Sequence, residues 1–352
     1  MRKLLRAAAV LAAGTMALTL ATPAKAAPDD TSARWLTRQL TDGLIHNDQY
    51  GFDDYGLTAD TAFALKAIGG QREALRDIRR ALGRNVDNWT TFGDDVFAGS
   101  TAKAVVLAQT TGADPRDFGG VNLVARLNSL VSADRPTVGR IVDRAANGSD
   151  YVNVVGQAYA AQGLAAARSG KADEAVRFLL KQQCAPGYFR LNLADKTAED
   201  QTCDGGDRAG VSAPDTDATA IAVLSLRAVP RQTKAIRAAV RDAAAWLERR
   251  QRDNGSFGGG TSTETSNSNS TGVAGWALGE VGACKPAAKA ARWVHRLQVS
   301  GDVSGTRLAG EKGAIAYDPA ALAAARADGI GTPERDQWRR ATSQAAPALM
   351  NL

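Results

Sequence analysis

Two kinds of helical segment alternate along the chain. The first kind is amphipathic, with an aromatic residue or leucine as its apolar anchor and several arginines on the opposite side. This spacing predicts helices with one face in solvent. Six such segments begin at Ala33 ("ARWLTRQL"), Asp77 ("DIRRALGRNV"), Leu123 ("LVARLNSLV"), Ala175 ("AVRFLLKQQ"), Ala243 ("AAAWLERRQ") and Ala291 ("ARWVHRLQV").

The second kind of segment follows each of the first after a turn rich in Gly or Asp, and it is small and apolar on most of its circumference. Such helices are usually buried. Most begin at Ser, Thr or Asp, which cap a first turn, and most end near Gly. The six begin at Asp60, Ser100, Val154, Asp217, Ser270 and Asp318.

Six pairs of an outer and an inner helix predict an all-α fold, an (α/α)6 toroid. We expect one domain over 27–352, with its core at about 33–330. An open helical solenoid is the alternative, but its repeats are usually more uniform in length.

A spaced motif occurs twice at the end of an outer helix. It consists of an aromatic residue and Leu, then Gln, Gly and an aromatic residue at fixed intervals. The copies are Phe178, Leu179, Gln183, Gly187 and Phe189, and Trp246, Leu247, Gln251, Gly255 and Phe257. Partial copies contain Trp35, Leu36 and Gln39, and Trp293, Val294 and Gln298.

This motif resembles the QW repeat of squalene-hopene and related terpene cyclases. The resemblance to the terpene cyclase/protein prenyltransferase superfamily implies its α/α-toroid fold over about 33–330. We expect Gln to bond backbone groups of the neighbouring helix, Gly to allow the turn, and the aromatic ring to cover the joint. The motif therefore predicts structural fasteners and no catalytic groups.

The segment "PDTDAT" resembles the acid motif with which class II terpene cyclases protonate an alkene. In that comparison Asp215 and Asp217 match the first two acids, Asp217 would be the proton donor, and Ala218 replaces the third Asp. The alternative is that Asp215 or Asp217 caps an inner helix.

Further carboxylates are expected at the mouth where the inner helices begin: Asp60, Asp95, Asp318 and, on the facing loop, Glu264. Paired carboxylates there would suit glycan hydrolysis. Helix capping explains the same aspartates without a substrate. The polar stretch 261–271 would be a lid beside the mouth or a solvated loop without a role.

The sequence favours a non-catalytic protein that binds a small molecule or an extracellular partner at this mouth. The alternatives are a degenerate class II terpene cyclase that uses Asp217 and a carboxylate-dependent glycan hydrolase. No cofactor is predicted. The resemblance does not imply a zinc site either. Protein prenyltransferases hold zinc through an Asp-x-Cys pair and a His, whereas this sequence has no such pair and both histidines, His46 and His295, lie in polar surroundings.

The amino terminus has the pattern of an export signal, with basic residues, an apolar run from Ala7 to Leu20 and a small-x-small site ending at Ala26. The run is too short to predict a permanent membrane anchor. The formal net charge of +6 includes four cations of this segment, so the secreted chain would carry about +2, which argues against nucleic-acid binding.

Three cysteines in an exported chain suggest a disulfide. Cys184 and Cys203 lie at the two ends of a loop rich in Gly, Asp and Asn, and we expect them to pair, which leaves Cys284 free. The sequence alone leaves the other two pairings open.

Overall fold

The computed structural model describes residues 30–352, so the expected signal segment, 1–26, lies outside the described residues. Helices dominate this part of the chain. They are α1 (Thr31–Arg38), α2 (Tyr55–Ile68), α3 (Arg72–Arg84), α4 (Val86–Thr90), α5 (Ala98–Thr110), α6 (Leu123–Asn128), α7 (Val154–Ala166), α8 (Ala172–Leu180), α9 (Thr216–Ala228), α10 (Lys234–Arg250), α11 (Ser268–Glu280), α12 (Cys284–His295), α13 (Pro319–Asp328), α14 (Thr332–Ala345) and the 3-10 helix η1 (Ala346–Asn351).

Short strands occur only in turns before inner helices, within the described residues. β1 (Leu40–Thr41), β2 (Leu44–Asn47) and β3 (Phe52–Asp53) form an antiparallel sheet in that order, and β4 (Thr91–Phe92) pairs with β5 (Asp95–Val96).

The inner helices form a closed ring, because α2, α5, α7, α9, α11 and α14 each pack against the next and α14 packs against α2. Small residues let these helices approach closely. A Cβ on Gly156 of α7 would lie 3.1 Å from the Cα of Gly99 in α5, and one on Gly272 of α11 would overlap Ala345 of α14. The protein is therefore an all-α toroid, as the sequence predicts.

The sixth inner helix differs from the prediction. The segment that begins at Asp318 forms α13, which buries only Leu322 and Ala325. The ring is closed instead by α14, which lies entirely beyond residue 330, the predicted limit of the core. Because of its arginines, the sequence of α14 resembles that of an outer helix. Those arginines are neutralised by ion pairs: Arg339 lies 3.2 Å from Asp48, and Arg340 pairs with Asp54 and Asp336.

The two copies of the Gln-Gly-aromatic motif form the same joint. Gln183 Nε2 donates to the carbonyls of Gly187 (2.8 Å) and Ala239 (2.9 Å), and Gln251 Nε2 donates to those of Gly255 (3.0 Å) and Pro286 (2.9 Å). In each case the second acceptor belongs to the next outer helix. The side chains therefore fasten one repeat to the next, as the sequence predicts for this glutamine.

Glycine is required at the turn of this joint. Gly187 and Gly255 have φ of 108° and 92°, and a Cβ on either would lie 2.5 Å from a backbone carbonyl of the next outer helix. Three further units have the same left-handed glycine against the next outer helix, although their sequences lack the full motif. These glycines are Gly43, Gly139 and Gly313.

The last of these joints closes the ring between the two ends of the chain. Ser32 Oγ of α1 donates to the Gly313 carbonyl at 2.7 Å, and Gln298 Nε2 donates to Ser32 Oγ at 2.8 Å. The first and sixth units are therefore neighbours in space.

Cys184 and Cys203 form the predicted disulfide, and Cys284 is free and exposed. The bond closes the loop that leads to the first turn of α9. No helix among residues 30–352 has both the length and the apolar composition needed to cross a membrane.

Candidate functional site

A cavity of about 720 Å³ runs along the axis of the toroid, and all six inner helices line it. At one end its wall consists of first-turn residues such as Gly56, Gly99 and Asp217. At the other end it reaches the exposed last-turn residues Lys66 and Arg227. We call these the mouth and the far end. The cavity therefore spans most of the length of the inner helices.

The middle of the cavity is mainly apolar and aromatic. Phe63 and Tyr159 are in contact there, with ring centroids 5.9 Å apart, and Leu224, Val273 and Trp276 contribute to the wall. Burial raises the pKa of the Tyr159 phenol, so this group stays neutral. Such a wall suits a ligand with an apolar body, because the rings offer both apolar area and negative π faces.

Asp215 is the N-cap of α9. Its Oδ1 accepts a hydrogen bond from the Ala218 N–H at 2.8 Å, and the residue is 6% exposed. Burial raises the pKa of its carboxyl, and the backbone hydrogen bonds offset part of this rise. Asp215 therefore caps α9, which is the alternative to a catalytic role that the sequence leaves open for this residue.

Asp217 has different surroundings, because its side chain lines the cavity. Burial, with a smaller contribution from the neighbouring charge of Asp215, raises the pKa of Asp217 to about 6. The hydroxyl of Ser270 in α11 lies beside this carboxyl and offsets part of the rise. The Tyr317 phenol also faces it, and burial together with the charge of Asp217 raises the pKa of that phenol. Asp217 is thus a carboxyl that takes up a proton near neutral pH.

The first turns of α9 and α11 contain a cluster of buried side-chain oxygens that have no hydrogen bond within residues 30–352. Each such atom costs about 1–3 kcal/mol of stability, so folding alone gives no reason for the cluster. Its members are Thr216 Oγ1, Asp217 Oδ1, Ser268 Oγ and Asn269 Oδ1. A polar group of a ligand or substrate would satisfy them.

A glycine strap, Gly258–Gly260, covers the two aspartates. A Cβ on Gly259 would lie 2.9 Å from Asp217 Oδ2 and 3.0 Å from Ser270 Oγ, and one on Gly260 would overlap Asp215 Oδ2. Only residues without a side chain allow the backbone this close to both carboxyls. The glycines after Phe257 therefore form one wall of the site, in addition to continuing the joint.

The predicted lid, 261–271, is divided by the structure. Residues from Ser268 onward belong to α11, and Asn267 caps that helix by accepting from the Ser270 N–H at 2.8 Å. The inner helix therefore begins two residues before the predicted start at Ser270, because the polar segment "SNSNST" has the composition of a loop.

The remaining predicted mouth residues are not gathered around the cavity. Asp60 lines it, but its carboxylate is held 2.7 Å from Lys103 Nζ. Asp95 accepts from the Ala146 N–H, and Asp318 caps α13 by accepting from the Ala321 N–H. Glu264 is exposed on its loop. Neither Asp95, Asp318 nor Glu264 lines the cavity in the described chain.

Sequence reasoning missed Lys103, Ser270 and Tyr317. Lys103 could have been noticed as the one charged residue in the apolar segment "STAKAVVLAQTTG". Ser270 and Tyr317 approach Asp217 from other units of the ring, so no local pattern connects them to it.

Comparison with solved structures shows the same fold. The chain aligns over 91% of its length with 96% of the apo type II terpene cyclase MstE from Scytonema, at a TM-score of 0.59 and 14% identity. It aligns over 90% of its length with 94% of an unsaturated glucuronyl hydrolase from Bacillus sp. GL1, at a TM-score of 0.58 and 10% identity.

A protein from Actinoplanes matches over 91% of this chain and 98% of its own, at a TM-score of 0.56 and 18% identity. No protein-family model and no curated protein matches the sequence. At these identities the likeness establishes the α/α-toroid fold, which occurs here in proteins of different activity, and it assigns no reaction to this chain.

Proposed function

We propose that this protein is an acid catalyst that holds a largely apolar molecule in its central cavity and protonates it from Asp217. One observation carries the proposal: Asp217 lines the cavity with an unpartnered Oδ1 and a pKa raised to about 6. A carboxyl in such surroundings is neutral at mildly acidic pH and can donate a proton to a bound substrate.

The chemistry that fits best is acid-initiated rearrangement of an isoprenoid-like alkene. Transfer of the Asp217 proton to an alkene carbon forms a C–H bond and leaves a carbocation on the neighbouring carbon. The faces of Phe63, Tyr159 and Trp276 along the wall would stabilise that charge. Transfer of a proton from a carbon next to the cationic carbon to the Asp217 carboxylate breaks that C–H bond, forms the product alkene and restores the neutral acid, so the step needs no other reactant.

The hydroxyl and amide groups of α11 compensate in this proposal for Ala218, which replaces the third acid of the cyclase motif. Ser270 lies beside the donor carboxyl, and Asn269 occupies the same turn. The neighbouring inner helix therefore supplies the polar surroundings that an additional aspartate would supply in the motif.

Glycan hydrolysis is supported less well, because it requires a second carboxylate free to act beside the first. Among the carboxylates that line the cavity, Asp60 is paired with Lys103, and Glu280 lies at the far end. Binding without turnover remains the second candidate, since a ligand's polar group would satisfy the unpartnered oxygens equally well.

The test is turnover in D₂O of a set of prenylated alcohols and phenols, with glycans as a parallel set. Protonation by Asp217 predicts products that contain one deuterium on carbon, and Asp217→Asn should form none. Asp318→Asn, at a cap outside the cavity, is the control and should retain activity. If the wild type converts nothing but retains a ligand in native mass spectrometry, and Asp217→Asn loses that ligand, the protein is a carrier and the catalytic proposal is wrong.

A further inference from the structure

The face at the far end of the cavity is strongly cationic. It consists of the last turns of the inner helices, the loops that follow and the first turns of the next outer helices. Its exposed cations form no ion pair with any described residue. They are Lys66, Arg72, Arg76, Arg116, Arg168, Arg227, Arg231, Lys234, Arg237 and Lys285. The exposed acids on this face are fewer: Glu73, Asp114, Asp117, Asp173 and Glu280.

Helix stability does not explain these cations. A positive side chain is favourable at a helix C-terminus, which accounts for Lys66 and Arg227, but it is unfavourable in a first turn. Lys234 and Arg237 begin α10 and Lys285 begins α12, and neither helix has an acidic residue in its first turn. The positions therefore oppose the helix dipole, and repulsion among neighbouring cations adds to the cost.

The opposite face has both signs. The loops around the mouth contain exposed acids such as Asp94 and Glu264 and exposed cations such as Arg144 and Arg252, and Asp204 is paired with Arg208. The excess of exposed cations over acids is thus at the far end, although the expected net charge of the secreted chain is small. A large cationic face on a nearly neutral protein favours one orientation against an anionic partner.

The cavity opens within the cationic face. Lys66, Arg227 and Glu280 are exposed at the far end, and Ala67 and Ala228 lie beside them in the wall. A bilayer offers an anionic surface above an apolar interior, and this face offers cations around an apolar opening. An anionic polymer in solution would match the cations alone.

We propose that the cationic face docks on a bilayer of anionic phospholipids, with the far end of the cavity turned toward the lipid. Docking follows from the charges and the position of the opening. The further step, passage of an apolar substrate from the bilayer into the cavity, rests on the proposed function. Asp217 then lies at the end of the cavity away from the membrane, where the substrate arrives last.

The test is flotation of the protein with vesicles that contain phosphatidylglycerol or only phosphatidylcholine, at low and high salt. We expect binding to the anionic vesicles that weakens with salt. The triple variant Arg231→Gln, Lys234→Gln, Arg237→Gln should bind roughly 100-fold more weakly, or about 3 kcal/mol, since each cation near such a surface contributes about 1 kcal/mol.

A matched variant removes three exposed cations from the loops around the mouth: Arg135→Gln, Arg144→Gln, Arg208→Gln. An inner helix such as α9, with 13 residues, separates the two ends of the toroid by roughly 20 Å, from about 1.5 Å per residue, which exceeds a screening length of about 8–10 Å. We expect a loss of less than about threefold from this control. Circular dichroism of both variants checks that the fold is retained.

Several results would overturn the docking proposal: no binding to anionic vesicles at low salt, equal losses in the two triple variants, or binding to heparin without binding to vesicles. Salt-independent binding that disappears when the exposed aromatics Tyr50, Phe92 and Tyr151 are changed to Ser would place the membrane at the mouth instead. These measurements need no substrate. Docking and the catalysis by Asp217 can therefore fail separately.

Discussion

Replacement of Asp217 by Asn should remove activity and stabilise the fold at the same time. The pKa of this carboxyl rises from an ordinary value of 3.8 to about 6 in the folded protein. The folded state therefore binds this proton more tightly than the unfolded chain does. The contribution of Asp217 to the free energy of unfolding is highest below about pH 4 and falls as the pH rises through 6.

The size of the effect follows from the same values. A change of one in pKa corresponds to about 1.4 kcal/mol, so ionised Asp217 lowers the stability of the wild type by about 3 kcal/mol above pH 7. An amide cannot ionise. Asp217→Asn should thus match the wild type near pH 4 and exceed it by up to about 3 kcal/mol near pH 8, which corresponds to roughly 4 °C in Tm.

Denaturant unfolding of both proteins from about pH 4 to pH 8 measures this difference, with the disulfide intact. Other carboxyls titrate in both proteins and cancel in the difference between them. Asp318→Asn is the control for replacing a capping Asp by Asn, because Asn also caps helices and that side chain is partly exposed. A pH-independent difference for Asp217→Asn, or one that falls toward high pH, would refute the argument.

Four other variants, with Gly282→Ala as a control for the first, test the joints and the site. Gly255 has φ of 92° and Lys289 O would lie 2.5 Å from its new Cβ, so Gly255→Ala should lower the free energy of unfolding by about 2–4 kcal/mol in denaturant unfolding. Gly282 has φ of 79° but open space around the new Cβ, so Gly282→Ala should cost only about 1 kcal/mol. Equal costs would show that the close approach is unimportant. Gln251→Ala removes two hydrogen bonds and should cost about 1–3 kcal/mol by the same assay; an unchanged midpoint contradicts its role as a fastener. Cys203→Ser should lose about 3 kcal/mol, and the loss should disappear when the wild type is compared under reducing conditions. Gly259→Ala should lower turnover with little change in Tm, since its methyl group meets the side chains of Thr263, Asp217 and Ser270, which can move, and not a backbone atom; normal turnover would show that the strap is not part of the site.

The fold was predictable because its determinants are local and repeated. The apolar pattern indicates each inner helix, and the copies at Gln183 and Gln251 indicate how consecutive units are fastened. The sixth inner helix was not predictable in this way, because α14 is polar in sequence and its arginines are buried only through partners elsewhere in the chain, such as Asp48 and Asp54.

The candidate site was predictable only in part, for the same reason. "PDTDAT" identifies Asp217 as a candidate, but the pKa of this carboxyl is raised mainly by burial under other units of the ring, with a smaller contribution from Asp215, and Ser270 of α11 offsets part of the rise. The predicted set of six mouth carboxylates assumed that every acid near the start of an inner helix faces the axis. Asp95 and Asp318 instead satisfy backbone N–H groups, which a sequence pattern does not distinguish from a free carboxylate.

The hydrogen bond between Ser32 and the Gly313 carbonyl can form only late in folding, because it joins the first and the sixth unit of the ring. It joins residues 281 positions apart, and the helix that completes the ring, Thr332–Ala345, follows all five other inner helices in the chain. Earlier units can form helix pairs, but a growing chain has no partner for the exposed sides of its first and fifth units until that helix has been made. The ring of a nascent chain thus stays open until all six inner helices have been synthesised, and the order of synthesis delays its closure to the last of them.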